Sequence, residues 1–440
     1  MSHLRKSTLN EWLDYISGTH PENIEMGLDR IRCVFELMNI DLNSAPLRQQ
    51  QVVVVSGTNG KGSTIALIEA GLLSMGLEVG TYTSPHIHSY NERVKINSKP
   101  VSDEKLVTAF SHVEEARADI PLTYFEFGTL AAFDILFTAD LDVLILEIGL
   151  GGRLDAVNIV DSDLAIITSV ALDHTDWLGA SIEGIGFEKA GVLRANTPAL
   201  FGENLPESVY LYAEEISCPA LSIDQDFART DQGVLLLERE GKINYQGFPD
   251  LRLPENNILL ALQAIKHISQ SLKVTKSKFC YPSLIKCFSD IVIAGRLEEI
   301  DTDKLSSNQQ VFLDVGHNPH AAQYLLGFLK SLKCTGKKVN AVYSSLSDKD
   351  VIGVSKILSP VFDTWFIAPL EEDRALDIQA LETAVGKHAK NMLSFETLDE
   401  ALGAALIGRQ KSDQAEMPSV TLVFGSFYVI EAAKAYFKNL

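Results

Sequence analysis

Ser56-Gly57-Thr58-Asn59-Gly60-Lys61-Gly62-Ser63-Thr64 follows the apolar run Val52–Val55 and leads into a helical pattern from Ile65. A buried strand, a glycine-rich turn and a helix N-terminus in that order make a cradle for nucleotide phosphates. Glycines let backbone N–H groups curl around an anion, and the helix dipole favours negative charge there. In such a cradle Lys61 reaches the terminal phosphates of ATP, and a hydroxyl of Ser63 or Thr64 sits on Mg²⁺. The spacing departs from G-x-x-x-x-G-K-[ST]: Val55 stands at the first glycine, and Gly62 separates Lys61 from the hydroxyls. The alternative is a glycine-rich turn without a ligand.

Other polar residues gather just beyond apolar runs. Glu147 ends the run Leu141–Leu146 and is placed to hold Mg²⁺ directly or through water. Gly149-Leu150-Gly151-Gly152-Arg153-Leu154-Asp155 follows it. The paired glycines permit an unusual backbone path, and Arg153 and Asp155 add opposite charges. His174, in Leu172-Asp173-His174-Thr175-Asp176-Trp177, follows the run Leu164–Val170. Imidazole suits softer ions better than Mg²⁺, and a structural histidine is the plainer reading there. Alone, Ser84 carries no signal and Lys189 reads as surface charge. Asn318-Pro319 supplies a helix N-cap with proline at the first helical position, which leaves Asp314 and His317 unexplained by capping.

The elements that must position these residues alternate between strand and helix. Residues 79–83, 141–146 and 164–170 read as strands, and 101–116, 126–139 and 257–268 as helices. Uniformly apolar strands are buried parallel ones, and ligands in open α/β sheets bind past their carboxyl ends. Residues 200–252 are less regular and read as antiparallel structure. A second series follows, with strands at 311–313, 340–343, 365–368 and 420–424 and a helix opened by Pro319. The pattern predicts two α/β domains, the second smaller and Rossmann-like, with a boundary near Ala294-Gly295-Arg296.

The 440 residues exceed what one core usually organises, and 46% apolar with 22% charged content is that of a globular protein. A net charge of −20 argues against nucleic acid as a partner. The five cysteines form no C-x-x-C pair, so structural thiols in a reducing compartment are expected rather than a metal cluster. Neither a signal-peptide pattern nor an apolar run of about twenty residues is present, which predicts a cytoplasmic protein with no membrane partner.

Nine blocks in order carry a resemblance. They are Gly57–Thr64, Thr83-Ser84-Pro85-His86, Asn91-Glu92-Arg93, Leu122–Glu126, Glu147–Asp155, Asp173–Gly179, Glu188-Lys189-Ala190-Gly191, Asp314–His320 and Gly425-Ser426-Phe427-Tyr428. Together they resemble folylpolyglutamate synthases, most closely the bacterial bifunctional dihydrofolate synthase/folylpolyglutamate synthases of the Mur ligase superfamily. The resemblance implies an α/β chain with a P-loop, Mur-ligase-like N-terminal domain at 1–295 and a Rossmann-like C-terminal domain at 296–440. It implies an ATP-dependent ligase that phosphorylates a carboxylate and joins it to the amine of L-glutamate. Dihydropteroate and reduced folates would be the acceptors, two Mg²⁺ ions the cofactors, K⁺ a further candidate, and a monomer the expected state.

Residue by residue, the resemblance assigns ATP to Thr58, Asn59, Gly60, Lys61, Gly62, Ser63, Asn257, Arg296 and Asp314, with Arg296 at a hinge. Ser63, Ser84 and Glu147 resemble the ligands of one Mg²⁺, and Glu147, His174 and Lys189 those of the second, with Lys189 as N6-carboxylysine. Thr123, Tyr124, Phe125, Glu126, Leu154, Asp155 and Ala156 resemble the pterin-substrate contacts. Catalytic or positioning roles fall to Lys61, Arg93, Asp155, Lys189, His317 and Ser426. Three departures stand out. Gly316 replaces a usual alanine, Ile293-Ala294-Gly295-Arg296-Leu297-Glu298 replaces a Leu-Pro-Gly-Arg-Phe-Gln-type linker, and Ser344–Asp350 keeps only the ending of its family pattern. A monofunctional folylpolyglutamate synthase and a Mur-type peptidoglycan ligase are the alternatives within this chemistry. A nucleotide switch would need an Asn-Lys-x-Asp element, and none is found.

Overall fold

The computed structural model describes residues 6–20, 25–40, 50–272, 279–300, 305, 308–407 and 418–440. The chain divides into two compact units, residues 1–251 with 255–291, and residues 252–254 with 292–440.

The first unit is built on an eight-stranded sheet. Its strands are β1 (Gln51–Ser56), β2 (Val79–Tyr82), β3 (Val94–Ile96), β4 (Lys99–Pro100), β5 (Val143–Glu147), β6 (Leu164–Ile167), β7 (Ala199–Phe201) and β8 (Ala220–Ser222). They lie in the order β4-β3-β2-β5-β1-β6-β7-β8, parallel except at β3 and β4. Val53, Val54 and Val55 of β1, Leu144 to Leu146 of β5 and all four residues of β6 are buried, as strands covered on both faces require. In register, Val55 of β1 lies opposite Glu147 of β5 and Ile166 of β6. The acid and the phosphate loop therefore leave the sheet at the same end, side by side.

Two expectations are corrected here. Residues 200–252 are only partly antiparallel: β7 and β8 extend the main sheet in parallel, with the helix Glu207–Glu215 between them. Both strands are three residues long, too short to show a period. The antiparallel part is a separate three-stranded sheet of β9 (Ala228–Thr230), β10 (Gly233–Glu238) and β11 (Gly241–Gln246). The strand expected over 164–170 ends at Ile167, because the residues after it turn to hold the phosphate loop. Helix Tyr124–Phe137 begins at a capping box in which Thr123 and Glu126 satisfy each other's backbone N–H groups.

The second unit is a six-stranded sheet of β12 (Glu298–Glu299), β13 (Gln309–Asp314), β14 (Lys338–Tyr343), β15 (Thr364–Ile367), β16 (Met392–Ser394) and β17 (Ser419–Phe424). Its order is β12-β13-β17-β14-β15-β16, parallel except for β12. Tyr343, Trp365 and Phe424 are fully buried at its centre, with Tyr343 4.7 Å from the Phe424 ring and 5.5 Å from Trp365.

All five cysteines are free. Cys33, Cys280 and Cys334 are exposed and only Cys218 is buried, so core packing accounts for one of the five. Among the described residues no helix is long and apolar enough to cross a membrane.

Candidate active site

The phosphate loop is held from behind by the segment after β6. Thr58 N–H donates to Ser169 O at 2.8 Å and Asn59 N–H to Ser169 Oγ at 3.0 Å, while Thr168 Oγ1 donates to Asn59 O at 2.7 Å. Thr58 and Asn59 thus spend their N–H groups within the protein. The N–H groups of Lys61, Gly62 and Ser63, at the start of helix Lys61–Ser74, have no helical carbonyl behind them, which is the arrangement that can receive an anion. Gly57 (φ +147°) and Gly60 (φ +93°) carry the bend. A Cβ at Gly57 would stand 1.9 Å from Thr168 Oγ1, and one at Gly60 would stand 2.4 Å from Asn257 Oδ1. Gly60 and buried Asn257 therefore pack together. A Cβ at Gly62 would meet nothing within 4 Å, so that face of the helix start is open. Lys61 Nζ folds back to donate to Gly57 O at 3.0 Å. Ser63 is 1% exposed, and the fully buried Thr64 Oγ1 has no hydrogen-bond partner among the described residues.

Glu147 is buried at the end of β5, and its Oε2 accepts the backbone N–H of Ser84 at 3.0 Å. The Ser84–Pro85 peptide bond is cis. The glycine-rich loop that follows brings a buried lysine to the same region. Arg153 N–H donates to Glu188 O at 2.8 Å, and a Cβ at Gly152 would stand 2.7 Å from that same oxygen. The Arg153 side chain then grips Glu188 Oε1 at 2.7 Å. Lys189, next in the chain, is 4% exposed and makes no side-chain hydrogen bond or ion pair among the described residues. Burial, and after it the charge of Lys61, lower its amine to about 7, against the pull of Asp173 and Asp155. The surface-charge reading of Lys189 is thereby corrected. Its place near the end of helix Ile182–Ala190, where a lysine directly after Glu188 looks solvent-facing, hid its burial.

Asp155 is equally enclosed. Oδ2 accepts Leu150 N–H at 2.8 Å and Oδ1 accepts Val157 N–H at 2.9 Å, so the carboxylate closes the glycine-rich loop on itself. Burial nevertheless raises its carboxyl to about 6. Ala156 is buried beside it and Leu154 half-buried. His174 sits in the left-handed region at φ +51°, its side chain 40% exposed and its backbone N–H on Asp173 Oδ1 at 2.9 Å.

The Thr123–Glu126 block is committed to structure at one end. Glu126 Oε2 accepts from Thr123 N, Thr123 Oγ1 and Arg30 Nε, all at 2.9 Å, while the buried Oε1 has no partner among the described residues. Phe125 stacks on Tyr82 at 6.2 Å and lies over Gly149, where a Cβ would be 2.5 Å from its ring. Arg93 is 9% exposed, beside the rings of both Tyr90 and Tyr124, with its Nε on His86 Nδ1 at 2.9 Å. The sequence motifs contain His86 and Glu188 without giving either a role, and omit Thr168 and Ser169. Thr168, Ser169 and Glu188 act on stretches of chain distant in sequence, which no local pattern reports, whereas His86 acts on Arg93 seven positions on.

An oxygen-rich set of this kind fits a hard divalent cation. Glu147 is an enclosed carboxylate, Ser63 and Ser84 supply hydroxyls, and an uncharged Lys189 amine can carry a carboxylate where an ammonium could not bind a metal. Among the described residues no three His, Cys, Asp or Glu side chains form a metal cage by themselves. Any such ion therefore depends on the serines, on modified Lys189, or on substrate oxygens.

In the second unit Asp314 ends β13. Its Oδ2 accepts Leu297 N–H at 3.0 Å and its Oδ1 accepts Gly316 N–H at 2.7 Å. Burial raises this carboxyl, with Arg296 pulling it down. The linker has its own brace: Glu298 Oε2 accepts Gly295 N–H at 2.8 Å, and Lys434 Nζ meets Glu298 Oε1 at 2.7 Å. The acid that replaces the usual residue thus stiffens a turn lacking its proline. A Cβ at Gly316 would stand 2.8 Å from Asp314 Oδ1. His317 Nδ1 lies 2.9 Å from Val315 O, Asn318 Oδ1 caps helix Pro319–Lys333, and Ser426 Oγ caps helix Phe427–Asn439. The Arg296 guanidinium lies 5.7 Å from the Phe427 ring.

Residues 295–427 match the Mur ligase, glutamate ligase domain family. The chain is 38% identical to the dihydrofolate synthase/folylpolyglutamate synthase of Haemophilus influenzae, over 96% of each, and 37% identical to that of Escherichia coli, over 96% of this chain and 94% of the other. Its fold superposes on Escherichia coli FolC in complex with DHPP and ADP with a TM-score of 0.86, at 35% identity over 99% of both chains. It matches a bifunctional folylpolyglutamate synthase/dihydrofolate synthase with Mn, AMPPNP and L-glutamate bound at a TM-score of 0.85, with 36% identity over the whole of both chains. A phosphate cradle beside a buried acid and a buried lysine, in a chain alike from end to end, makes it a member of the dihydrofolate synthase/folylpolyglutamate synthase family of ATP-dependent ligases.

Proposed function

We propose that this chain adds L-glutamate to dihydropteroate, forming dihydrofolate, and to reduced folates, forming folylpolyglutamates. A carboxylate is a poor electrophile. One of its oxygens attacks the γ-phosphorus of ATP, the bond to the β-phosphate oxygen breaks, and ADP leaves. The glutamate amine then attacks the acyl carbon of the resulting acyl phosphate, inorganic phosphate departs, and the nitrogen loses its proton. The observation that carries this reading is the phosphate loop set beside Glu147, with the unpartnered amine of Lys189 nearby.

In this scheme the N–H groups of Lys61, Gly62 and Ser63 and the Lys61 ammonium hold the triphosphate, with Thr58, Asn59, Gly60 and Asn257 shaping the loop. Ser63, Ser84 and Glu147 hold one divalent ion, and Glu147, His174 and carboxylated Lys189 a second. Two Mg²⁺ ions, once bound, offset the repulsion between triphosphate and carboxylate. Tyr124 and Phe125 offer aromatic faces to a pterin. Asp155 keeps the loop bearing Leu154 and Ala156 closed, and Arg93 offers an unpaired cation to a carboxylate. From the second unit, Arg296 and Asp314 contact nucleotide, and His317 and Ser426 position glutamate or the acyl phosphate. A K⁺ requirement, a monomeric state and a cytoplasmic location belong to the same proposal. The five free thiols support the last of these.

The test is ADP release with the pteridine substrate and glutamate each omitted. A ligase needs both, and nucleotide turnover indifferent to glutamate overturns the reading. Separate assays with dihydropteroate and with a reduced folate distinguish the bifunctional enzyme from a monofunctional folylpolyglutamate synthase.

A further inference from the structure

Arg93 is a buried cation with no anion paired to it among the described residues. It makes no ion pair, and its side chain has one hydrogen bond among the described residues, from Nε to His86 Nδ1 at 2.9 Å. Its guanidinium carbon lies 5.3 Å from the Tyr90 ring and 5.8 Å from the Tyr124 ring. The neighbouring acid is turned away: Glu92 Oε2 accepts Ile87 N–H at 2.8 Å, and Oε1 accepts the N–H groups of His88 and Ser89 at 3.0 Å. A buried charge left uncompensated destabilises the fold, which makes sense where a ligand brings the missing charge.

His86 decides how that cation is presented. To accept from Arg93 Nε, Nδ1 must offer its lone pair, so the imidazole is neutral there with its proton on Nε2. The backbone on both sides is fixed. Ser89 and Glu92 form a capping box around the short helix Tyr90–Arg93, and Thr83 N–H donates to Arg93 O at 2.8 Å. A carboxylate in place of His86 would accept the same hydrogen bond but cancel the charge. A neutral ring fixes the edge of the guanidinium and leaves its charge, and its two terminal nitrogens, available for a bidentate carboxylate.

We propose that His86 is a positioning residue that holds Arg93 without neutralising it, so that Arg93 binds a substrate carboxylate. This rests on the ligase reading above. The carboxylate comes from the pteridine-bearing acid or from glutamate. Contact with Tyr124, within the block assigned to the pterin substrate, favours the former.

The experiment compares His86→Gln, which keeps a neutral acceptor, with His86→Glu, which keeps an acceptor but adds a negative charge. KM is measured separately for ATP, dihydropteroate and glutamate, alongside thermal unfolding. The Gln variant should stay within about three-fold of wild type for every substrate. The Glu variant should unfold no earlier, keep its KM for ATP, and raise KM for one carboxylate substrate by about ten-fold or more, the affected substrate identifying the source. An unaffected Glu variant, or a Gln variant as impaired as the Glu variant, overturns the proposal. Should the Glu variant not fold, His86→Ala must raise KM for a carboxylate substrate while sparing that for ATP, and an unchanged KM counts against the proposal. A wild-type enzyme that releases ADP without either substrate overturns the ligase reading and this proposal together. One that needs both, with an unaffected Glu variant, overturns this proposal alone.

Discussion

The charge of Lys61 acts on Lys189, 128 positions further along the sequence. Burial first, and then the positive charge of Lys61, lower the Lys189 amine to about 7 from its ordinary 10.5. The charge of Lys61 thereby helps keep a second, buried lysine largely without its proton near neutral pH.

That coupling sets a stability cost with a defined sign. Unfolded, Lys189 holds its proton up to about 10.5; folded, it releases it near 7. The folded chain binds fewer protons in that window, so this group's contribution makes stability rise as pH climbs from about 7 to about 10.5. Lys189→Met, which removes the buried amine, should stabilise the ligand-free protein by about 1–3 kcal/mol at pH 7 while losing most ligation. Urea unfolding and ADP release check the two halves.

Asp155 titrates in the opposite sense. Burial raises its folded carboxyl to about 6, above the ordinary 3.8. Its protonation therefore contributes stability that is fully present below about 3.8 and lost as pH rises through about 6. Asp155→Asn cannot titrate and forfeits an acceptor for Leu150 or Val157, so it should be less stable by about 1–3 kcal/mol. The deficit should be larger at pH 4 than at pH 7, as denaturation at the two pH values will show.

The glycines of the phosphate loop divide into two kinds. Gly60→Ala meets both a left-handed φ and Asn257 at 2.4 Å, so it should destabilise the fold and weaken ATP binding together. Gly62→Ala lies in open space at the start of a helix and should leave the ligand-free melting temperature equal or slightly higher. Nucleotide binding measured by calorimetry then reports whether the phosphates occupy that space. A Gly62→Ala variant that unfolds early would contradict this view of the loop.

Gly149 sets the position of an aromatic face. Its φ is not in the left-handed region, so the obstacle to a side chain is the Phe125 ring 2.5 Å away. Gly149→Ala should displace Phe125 and raise KM for dihydropteroate by about three- to ten-fold while leaving KM for ATP unchanged. Equal effects on both substrates would point to general damage instead.

The alternating apolar runs and the polar residues at their ends were readable because buried parallel strands leave an unambiguous hydrophobic signature. The placing of Glu147 beside the phosphate loop follows from such a run alone. The burial of Lys189 does not, since a lysine near a helix end looks the same in sequence whether it meets water or a folded-back loop. The short strands Ala199–Phe201 and Ala220–Ser222 were missed for the same reason, their three residues being shaped by neighbours in the sheet.

The linear order of residues was sufficient for the phosphate loop, the two α/β series and, through its ordered motifs, the family. Those depend on contiguous residues, whose strand, turn and helix preferences act locally. Tertiary structure alone decided that Glu188 and Lys189 lie against the loop of Gly152 and Arg153, that Asn257 backs Gly60, and that Arg93 is steadied by a neutral His86. These relationships come from burial and charge acting across space, where a residue's chemistry is set by what surrounds it rather than by what precedes it.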